Sequence, residues 1–228
     1  MRRLLVAAIA LLLAHSATQA ADISVLVEGT PEQPAIIFIQ GMLQANGYLN
    51  DTSEFTRNAW IAIDYQRQQR HETMGFLDSP GGAIGTAIWI GEKIREYGFK
   101  TAIADHVKCA SACALIWMGG TERYLDAKAR LGFHSARGSW NKSNPAYNEV
   151  NGLGNDMIIR YLQRLGVREA ESARLISAPP NSMTWVNVDS LATYGIAASY
   201  LRSAPQIVWP IARKRQHLDP VMPMKGKV

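Results

Sequence analysis

Residues 108–118 read Lys-Cys-Ala-Ser-Ala-Cys-Ala-Leu-Ile-Trp-Met and contain the turn from which the rest of the fold can be worked out. The part from Ala112 to Met118 has no polar face, which predicts a helix that is buried on every side. Residues 101–104 predict a strand before it, and we expect the helix to begin near Ala110. Ser111 therefore lies where the chain leaves a sheet and enters a core helix, between small residues that would let a substrate carbonyl approach. Serine is also an ordinary N-cap of a helix, so a purely structural role is the alternative.

Two cysteines, Cys109 and Cys113, bracket this serine and are the only cysteines in the chain. Residues four apart on a helix have Cα atoms roughly 6 Å apart, which is within the range that a disulfide spans. An oxidising compartment would favour a disulfide, and two buried thiols or metal or redox chemistry are the alternatives. Two ligands at this spacing with no histidine beside them are a weak zinc motif, so we expect no metal and no cofactor.

A second unusual turn, Ser79-Pro80-Gly81-Gly82, lies between an apolar strand at 73–77 and a helix at about 83–97. Two consecutive glycines let the backbone turn tightly and bring its N–H groups close to a ligand. The N-terminus of the following helix also favours negative charge. This combination suits a phosphate or a developing oxyanion, although a Pro-Gly-Gly segment is more often only a turn.

A serine nucleophile needs a base within hydrogen-bond reach, and His134 is the best candidate among the five histidines. It ends a short strand, 131–134, which is the element after the Ser111 helix. The other four histidines lie in the N-terminal segment, in the C-terminal tail or at element boundaries without a supporting pattern: His15, His71, His106 and His217. The alternative for His134 is a structural histidine that is hydrogen-bonded at a strand end.

The rest of the chain alternates strand and helix patterns with short connections. Strands are predicted at 23–27, 35–40, 73–77, 101–104 and 131–134, and helices at about 53–70, 83–97, 147–165 and 168–177. Residues 185–196 predict a strand or extended segment followed by a short helix. Such alternation predicts an α/β fold, in which right-handed crossovers place helices over a parallel sheet. In these folds chemistry gathers at the carboxyl ends of the strands, where both unusual turns are expected.

Together these residues resemble the Clp protease proteolytic subunit and its relatives in the crotonase-like fold. The resemblance covers about Ala35 to Ile196, and its most specific parts are Ser79-Pro80-Gly81-Gly82, Ala110-Ser111-Ala112, Gly132-Phe133-His134 and Tyr194-Gly195-Ile196. The order of these parts and the 23-residue spacing from Ser111 to His134 suit the family. The resemblance implies a fold of repeated ββα units with a parallel sheet covered by helices.

The resemblance also implies a role for each matching residue. Ser111 would attack a carbonyl, and His134 would take its proton and later protonate the leaving group. The backbone N–H groups of Gly82 and Ala112 would form the oxyanion hole. The family further implies a homo-oligomer, for whose assembly the long helix at 147–165 is a candidate.

The chain departs from the family at the third member of the catalytic triad. The family has an aspartate about eleven residues before its tyrosine–glycine pair, and this position is Met183 here. Asn181 is close by and could orient a histidine, as asparagine does in papain-like cysteine proteases. Asp156 and Asp189 are further candidates, although Asp189 is predicted to cap the short helix.

Residues 1–20 have the features of a secretory signal peptide. The pair Arg2-Arg3 precedes 11 apolar residues, Leu4–Ala14, and Thr18-Gln19-Ala20 supplies small residues for a cleavage before Ala21. A membrane-spanning helix needs about 20 apolar residues, so an uncleaved anchor is the weaker alternative. We therefore expect an exported protein, periplasmic or secreted, with membrane association as a further option.

The mature chain predicts one Clp protease-like α/β domain, 21–205, followed by a basic, flexible tail, 206–228. Removal of the signal peptide lowers the formal net charge from +5 to +3, because 22 basic residues remain against 19 acidic ones. This excess is mild, and the domain has no basic stripe with interleaved aromatic residues. We therefore expect no nucleic-acid partner, while the basic tail could contact anionic lipid headgroups.

These features predict a serine hydrolase that cleaves small or unstructured peptide or protein substrates. We expect no ATPase partner, because an ATP-driven unfoldase has no ATP outside the cytoplasm. An esterase or thioesterase would use the same two residues and is one alternative. A catalytically weak module that holds peptides in the same cleft is another, and the absent aspartate favours it. Acyl-CoA chemistry and a serine–lysine dyad fit the residues less well.

Overall fold

The chain forms nine strands and six helices within the residues that the computed structural model describes, which are 21–44, 54–137 and 147–201. The strands are β1 (Asp22–Val27), β2 (Ala35–Gln40), β3 (Thr73–Asp78), β4 (Lys100–Ile103), β5 (Lys108–Ala110), β6 (Arg123–Leu125), β7 (Arg130–Phe133), β8 (Thr184–Val186) and β9 (Ser199–Tyr200). The helices are α1 (Glu54–Gln69), α2 (Ile84–Glu96), α3 (Ala112–Met118), α4 (Tyr147–Arg164), α5 (Glu169–Leu175) and α6 (Val188–Ala192). The predicted signal peptide and the tail at 206–228 lie outside these ranges. No helix within them is long and apolar enough to cross a membrane.

Six strands form the main sheet, in the order β1-β2-β3-β4-β6-β9. The last five are parallel to one another, while β1 runs antiparallel to β2. β2 reads Ala-Ile-Ile-Phe-Ile-Gln, and its first five residues are buried, as expected for a strand that is covered on both faces. A mostly parallel sheet in a mixed α/β fold confirms the architecture that the alternating strand and helix patterns predict.

A second sheet of three strands, in the order β5-β7-β8, goes beyond what the sequence predicts. β5 is parallel to β7, and β8 is antiparallel to β7. A parallel bridge between Ser79 and Cys109 joins this sheet to the end of β3. In this bridge Ser79 N–H donates to Lys108 O at 3.1 Å, and Ala110 N–H donates to Ser79 O at 3.0 Å. The bridge brings the turn after β3 next to the turn after β5.

α3 lies inside the domain, and all seven of its residues are buried. This confirms the buried helix that its apolar sequence predicts. α3 packs against α2, and α4 supports it through Tyr161, which is fully buried and donates its hydroxyl to Leu115 O at 3.0 Å. The turn before α3 is therefore attached to a close-packed core that resists displacement.

Two local predictions are wrong, each for a physical reason. α3 begins at Ala112 and not near Ala110, because Lys108–Ala110 pairs with β7 as strand β5. Asp189 does not cap α6, because Asn187 is the N-cap and accepts a hydrogen bond from Ser190 N–H at 2.8 Å. The Asp189 carboxylate instead accepts a hydrogen bond from the Tyr200 hydroxyl at 2.9 Å.

Candidate active site

Ser111 lies between β5 and α3 in a backbone conformation that residues with a side chain seldom adopt. Its φ is 58° and its ψ is −126°, whereas an ordinary N-cap has an extended backbone. It occupies the N-cap position of α3, yet its side chain makes no cap hydrogen bond. Such strained conformations cost on the order of 1–3 kcal/mol and cluster at active sites. A sharp strand-to-helix turn also presents the nucleophilic serine of α/β-hydrolases.

Gly81 and Gly82 both lie in tight surroundings, Gly81 against the Ser111 turn and Gly82 against Leu43. Their φ angles are 102° and 139°, both in the region that favours glycine. A Cβ atom on Gly81 would lie 2.7 Å from the Ser111 Cβ and 2.9 Å from Ala112 N. A Cβ atom on Gly82 would lie 1.9 Å from Leu43 O. Both positions therefore need glycine for space as well as for conformation, and Gly81 brings the glycine loop into contact with the serine turn.

Several backbone N–H groups at these two turns have no acceptor among the described residues. Gly81 N–H donates to Ser79 Oγ at 3.0 Å and is therefore occupied. Gly82 N–H and Ala112 N–H, in contrast, form no hydrogen bond within the described part of the chain. Unpaired backbone donors near a nucleophile can stabilise an oxyanion as it develops. The Gly82 and Ala112 amides are therefore the donors that are available for such a role.

Ser79 is a site residue to which sequence reasoning assigns no role. Its side chain is buried, and its hydroxyl donates to Gly41 O at 2.5 Å while it accepts from Gly81 N–H. These bonds fix the first glycine of the pair and leave the second amide free. The signal in the sequence is a small polar residue directly before Pro-Gly-Gly, at the end of an apolar strand.

His134 follows β7 in the same way that Ser111 follows β5. Because β5 and β7 are parallel neighbours, their carboxyl ends lie at the same edge of the sheet. Ser111 N–H donates to Gly132 O at 2.8 Å, which ties the serine turn to the strand two residues before His134. The structure thus places the serine and the histidine at adjacent strand ends.

The His134 ring has a hydrogen-bond partner that defines its tautomer. Nδ1 lies 2.6 Å from Ser135 O. Because a carbonyl oxygen can only accept, we assign the proton of the neutral ring to Nδ1, which leaves the lone pair on Nε2 free. A ring in this tautomer can accept a proton through Nε2, as a general base must.

Met183 lies at the same end of the β7–β8 pair as His134. The last pair in the register of β7 and β8 is Phe133 with Thr184, so His134 directly follows β7 and Met183 directly precedes β8 at the same end of the ladder. A Cβ atom on Gly132 would lie 2.5 Å from Met183 Cγ, so the methionine side chain covers the Gly132 face of β7. Side chains alternate between the two faces of a strand, so His134 projects on that same face. An apolar side chain therefore stands where the resemblance leads us to expect an aspartate.

The other candidates for the third triad position are placed as follows. Asn181 is exposed in the turn before β8, and Asp156 is exposed on α4. Asp189 pairs with the Tyr200 hydroxyl. Within the described ranges none of the three forms a hydrogen bond with His134, whose Nδ1 partner is the backbone carbonyl of Ser135.

Cys109 and Cys113 form a disulfide across the Ser111 turn. Their Cα atoms are 5.2 Å apart, and both residues are fully buried. Of the three alternatives for these cysteines, the structure thus contains the disulfide. No group of three or more His, Cys, Asp or Glu residues that could hold a metal ion is found in the described parts of the chain.

Two solved structures have the same fold. One is a variant of the 1510-N membrane-bound stomatin-specific protease, with a TM-score of 0.56 and 16% identity over 73% of this chain and 78% of that chain. The other is a variant of ClpP1 from Listeria monocytogenes, with a TM-score of 0.54 and 15% identity over 66% of this chain and 85% of that chain. No family model and no curated protein matches the sequence. At this identity the likeness establishes the fold alone, and it confirms the Clp protease-like α/β fold that the sequence motifs imply.

Proposed function

We propose that this protein is an exported serine hydrolase that cleaves peptide bonds without an ATPase partner. The observation that carries this proposal is Ser111, whose positive φ and uncapped hydroxyl distinguish it from a helix-capping serine. The adjoining glycine loop and the adjacent strand end, which bears His134, supply the other parts that acyl transfer needs. The likeness in fold to two proteases supports a peptide or protein as the substrate.

In this proposal the proton moves between Ser111 and His134. Nε2 accepts the Ser111 hydroxyl proton while Oγ attacks the substrate carbonyl, and the resulting imidazolium then protonates the leaving amine. Water hydrolyses the acyl-enzyme by the same steps in reverse order. The Ser135 carbonyl holds Nδ1–H and so keeps Nε2 available.

The Gly82 and Ala112 amides would hold the oxyanion of the tetrahedral intermediate. Each such donor contributes roughly 10²–10³ to the rate of acyl transfer. The 2.9 Å between Ala112 N and a Cβ built on Gly81 supports this pairing, because it shows how closely the glycine loop approaches the amide after the serine. The two donors belong to different strand ends, and the Ser79 bridge keeps them together.

A weak peptide-binding module is the second candidate function. The observation that favours it is Met183 at the position of the expected aspartate, together with the lack of a carboxylate hydrogen-bonded to His134 among the described residues. A carbonyl dipole stabilises the charged ring less than a carboxylate does. If acylation is too slow to matter, the surface around the Ser111 and Gly81–Gly82 turns would still hold an extended peptide.

Export to the periplasm or the exterior is supported by two features of the chain. Residues 1–20 have the pattern of a signal peptide, and the disulfide next to Ser111 suits an oxidising compartment.

A homo-oligomer is supported by the exposed apolar residues Leu153 and Met157 of α4, which are 59% and 45% exposed. Cell fractionation and sedimentation of the purified protein test these two points.

Labelling with a fluorophosphonate probe tests the proposed function directly. The purified full-length product is incubated with the probe, and intact mass measures the adduct on the wild type and on Ser111→Ala. We expect one adduct on the wild type and none on the variant. Hydrolysis of an unfolded casein without ATP, compared with that of a p-nitrophenyl ester, then separates a peptidase from an esterase. Wild-type protein that takes up no probe, yet binds peptides, would establish the binding module instead.

A further inference from the structure

We propose that the disulfide between Cys109 and Cys113 is a positioning device that holds Ser111 in its attacking conformation. This inference rests on the proposed function, since it concerns the same nucleophile. The cysteines stand two residues before and two residues after Ser111, one in β5 and the other in α3. The bond thus joins the strand before Ser111 to the helix after it.

The backbone at Ser111 needs an external constraint to keep its conformation. A positive φ at a residue with a Cβ persists only when the surroundings over-determine it. Two hydrogen bonds act here, from Ser111 N–H to Gly132 O at 2.8 Å and from Ala114 N–H to Ser111 O at 2.9 Å. Neither of them joins β5 to α3 directly. The disulfide does, and its geometry allows Cα separations of only about 4.4–6.8 Å.

The position of the disulfide favours a local role over a general stabilising one. A disulfide stabilises a fold mainly by closing a loop in the unfolded chain, and this effect grows with loop length. The sequence separation of the two cysteines is only four residues, so this loop is very short. Both cysteines also belong to elements that β5–β7 pairing and the burial of α3 already fix. What the bond adds is the angle at which the strand passes into the helix, and this angle sets the position of the Ser111 hydroxyl.

The Gly81 contact shows how little the turn can move. A Cβ atom on Gly81 would lie 2.6 Å from Ala110 O and 2.7 Å from the Ser111 Cβ, so the glycine loop and the serine turn already touch. If Ser111 relaxed to a negative φ, its hydroxyl and Ala112 N–H would both turn relative to the glycine loop. The nucleophile and one oxyanion donor would be displaced together, and a displacement of about 1 Å can cost up to about 100-fold in rate.

The test compares the wild type with Cys109→Ala/Cys113→Ala, and it uses the fluorophosphonate probe and a p-nitrophenyl ester as reagents. We expect the labelling rate constant and kcat of the double variant to fall by at least about tenfold, while KM for the ester changes by less than about twofold. A disulfide with a merely stabilising role would instead lower the thermal midpoint and leave the labelling rate of the folded protein unchanged. Ile63→Ala, in the buried face of α1, is the control for lost stability without a change at the turn.

A second arm keeps the test independent of whether the double variant folds. The folded wild type is treated with a dithiol, which transfers two electrons and two protons to the S–S bond, so that two thiols form and the reagent becomes a cyclic disulfide. Intact mass after alkylation counts the thiols. We expect labelling to fall as thiols appear and to return on reoxidation, and the double variant, where it folds, to be unaffected by the dithiol.

The outcomes separate the inference from the proposed function. Equal labelling rates for the wild type and the double variant, or for oxidised and fully reduced wild type, would overturn the positioning role and leave the serine hydrolase intact. A wild type that takes up no probe in its oxidised form would refute the hydrolase, and the inference would fail with it.

Discussion

The two halves of the candidate site differ in how completely they are built. The nucleophile side, which consists of the Gly81–Gly82 loop and the Ser111 turn, is constrained by positive φ angles, close backbone contacts and a disulfide. The base side, which consists of His134 and Met183, has one hydrogen bond from the ring to a neighbouring carbonyl and an apolar residue against Gly132, two residues before the histidine. The conformation of the serine turn is therefore constrained from several sides, while the His134 ring has a single backbone partner.

This difference separates what backbone geometry supplies from what a single side chain supplies. The proposed oxyanion donors are main-chain groups, so their presence depends on how the two turns meet and not on the identity of a side chain. Stabilisation of a charged histidine ring, in contrast, depends on one side chain. A single substitution of an aspartate by a residue such as Met183 removes that stabilisation. If the proposed function holds, Ser111 is acylated slowly, because no carboxylate among the described residues supports the charged His134 ring.

The largest loss of labelling rate is expected on the base side. His134→Ala removes the proposed general base, and general bases contribute typically about 10²–10⁴ to the rate. We expect the fluorophosphonate labelling rate at pH 7 to fall within that range. His106→Ala, at an exposed histidine paired with Asp105, is the control and should label as the wild type does. Unchanged labelling of His134→Ala would mean that the base lies elsewhere.

The next effect tests the nucleophile side. Gly82→Ala places a Cβ atom 1.9 Å from Leu43 O, at a φ of 139°, so the loop must shift and carry its amide away from Ser111. Loss of one oxyanion donor predicts roughly a 10²–10³-fold fall in the labelling rate.

Gly85→Ala is the matched control for this change, because nothing lies within 4 Å of a Cβ atom at Gly85. Alanine is the better helix former, so in α2 it should raise the free energy of unfolding by up to about 1 kcal/mol without slowing labelling. Thermal unfolding of both variants separates the two effects. Equal labelling of Gly82→Ala and Gly85→Ala would remove the Gly82 amide from the oxyanion hole.

The sequence predicts the nucleophile side well because the signals there are short-range. Consecutive glycines, a serine between small residues and an apolar helix each have a direct backbone consequence, and the structure places all three in contact. The α/β fold follows from the same kind of signal, since buried strands such as β2 and amphipathic helices such as α2 have clear patterns.

The second sheet and the base side are harder to predict because they depend on pairing between distant segments. β5 and β8 are three residues long, and each becomes a strand only through β7. The Ser135 carbonyl as the partner of the His134 ring is a main-chain contact that no residue type signals. Ser79 is visible in the sequence, but its two hydrogen bonds depend on the position of Gly41, 38 residues away.

A gain of activity is the third expected effect. Met183→Asp places a carboxylate at the position of the expected aspartate, where it can compete with the Ser135 carbonyl for Nδ1–H and stabilise the imidazolium. We expect labelling and ester hydrolysis to rise by about tenfold, a factor that corresponds to about 1.4 kcal/mol of barrier. Met183→Asn has nearly the same shape without the charge and should give no such gain. If neither variant changes the rate, the lack of a carboxylate at this position does not limit the chemistry.

The smallest expected effect on the labelling rate is that of Asn181→Ala. Asn181 is exposed and makes no hydrogen bond with other described residues, so Asn181→Ala should change the labelling rate by less than about twofold. Asn187→Ala is a useful partner variant, because that asparagine caps α6 and its loss should lower the free energy of unfolding by about 1 kcal/mol at unchanged labelling. A tenfold slower labelling of Asn181→Ala, with a shifted pH profile, would instead make Asn181 the third member of the triad. The ring would then exchange the Ser135 carbonyl for the amide when substrate binds, and the base side would be as complete as an asparagine allows.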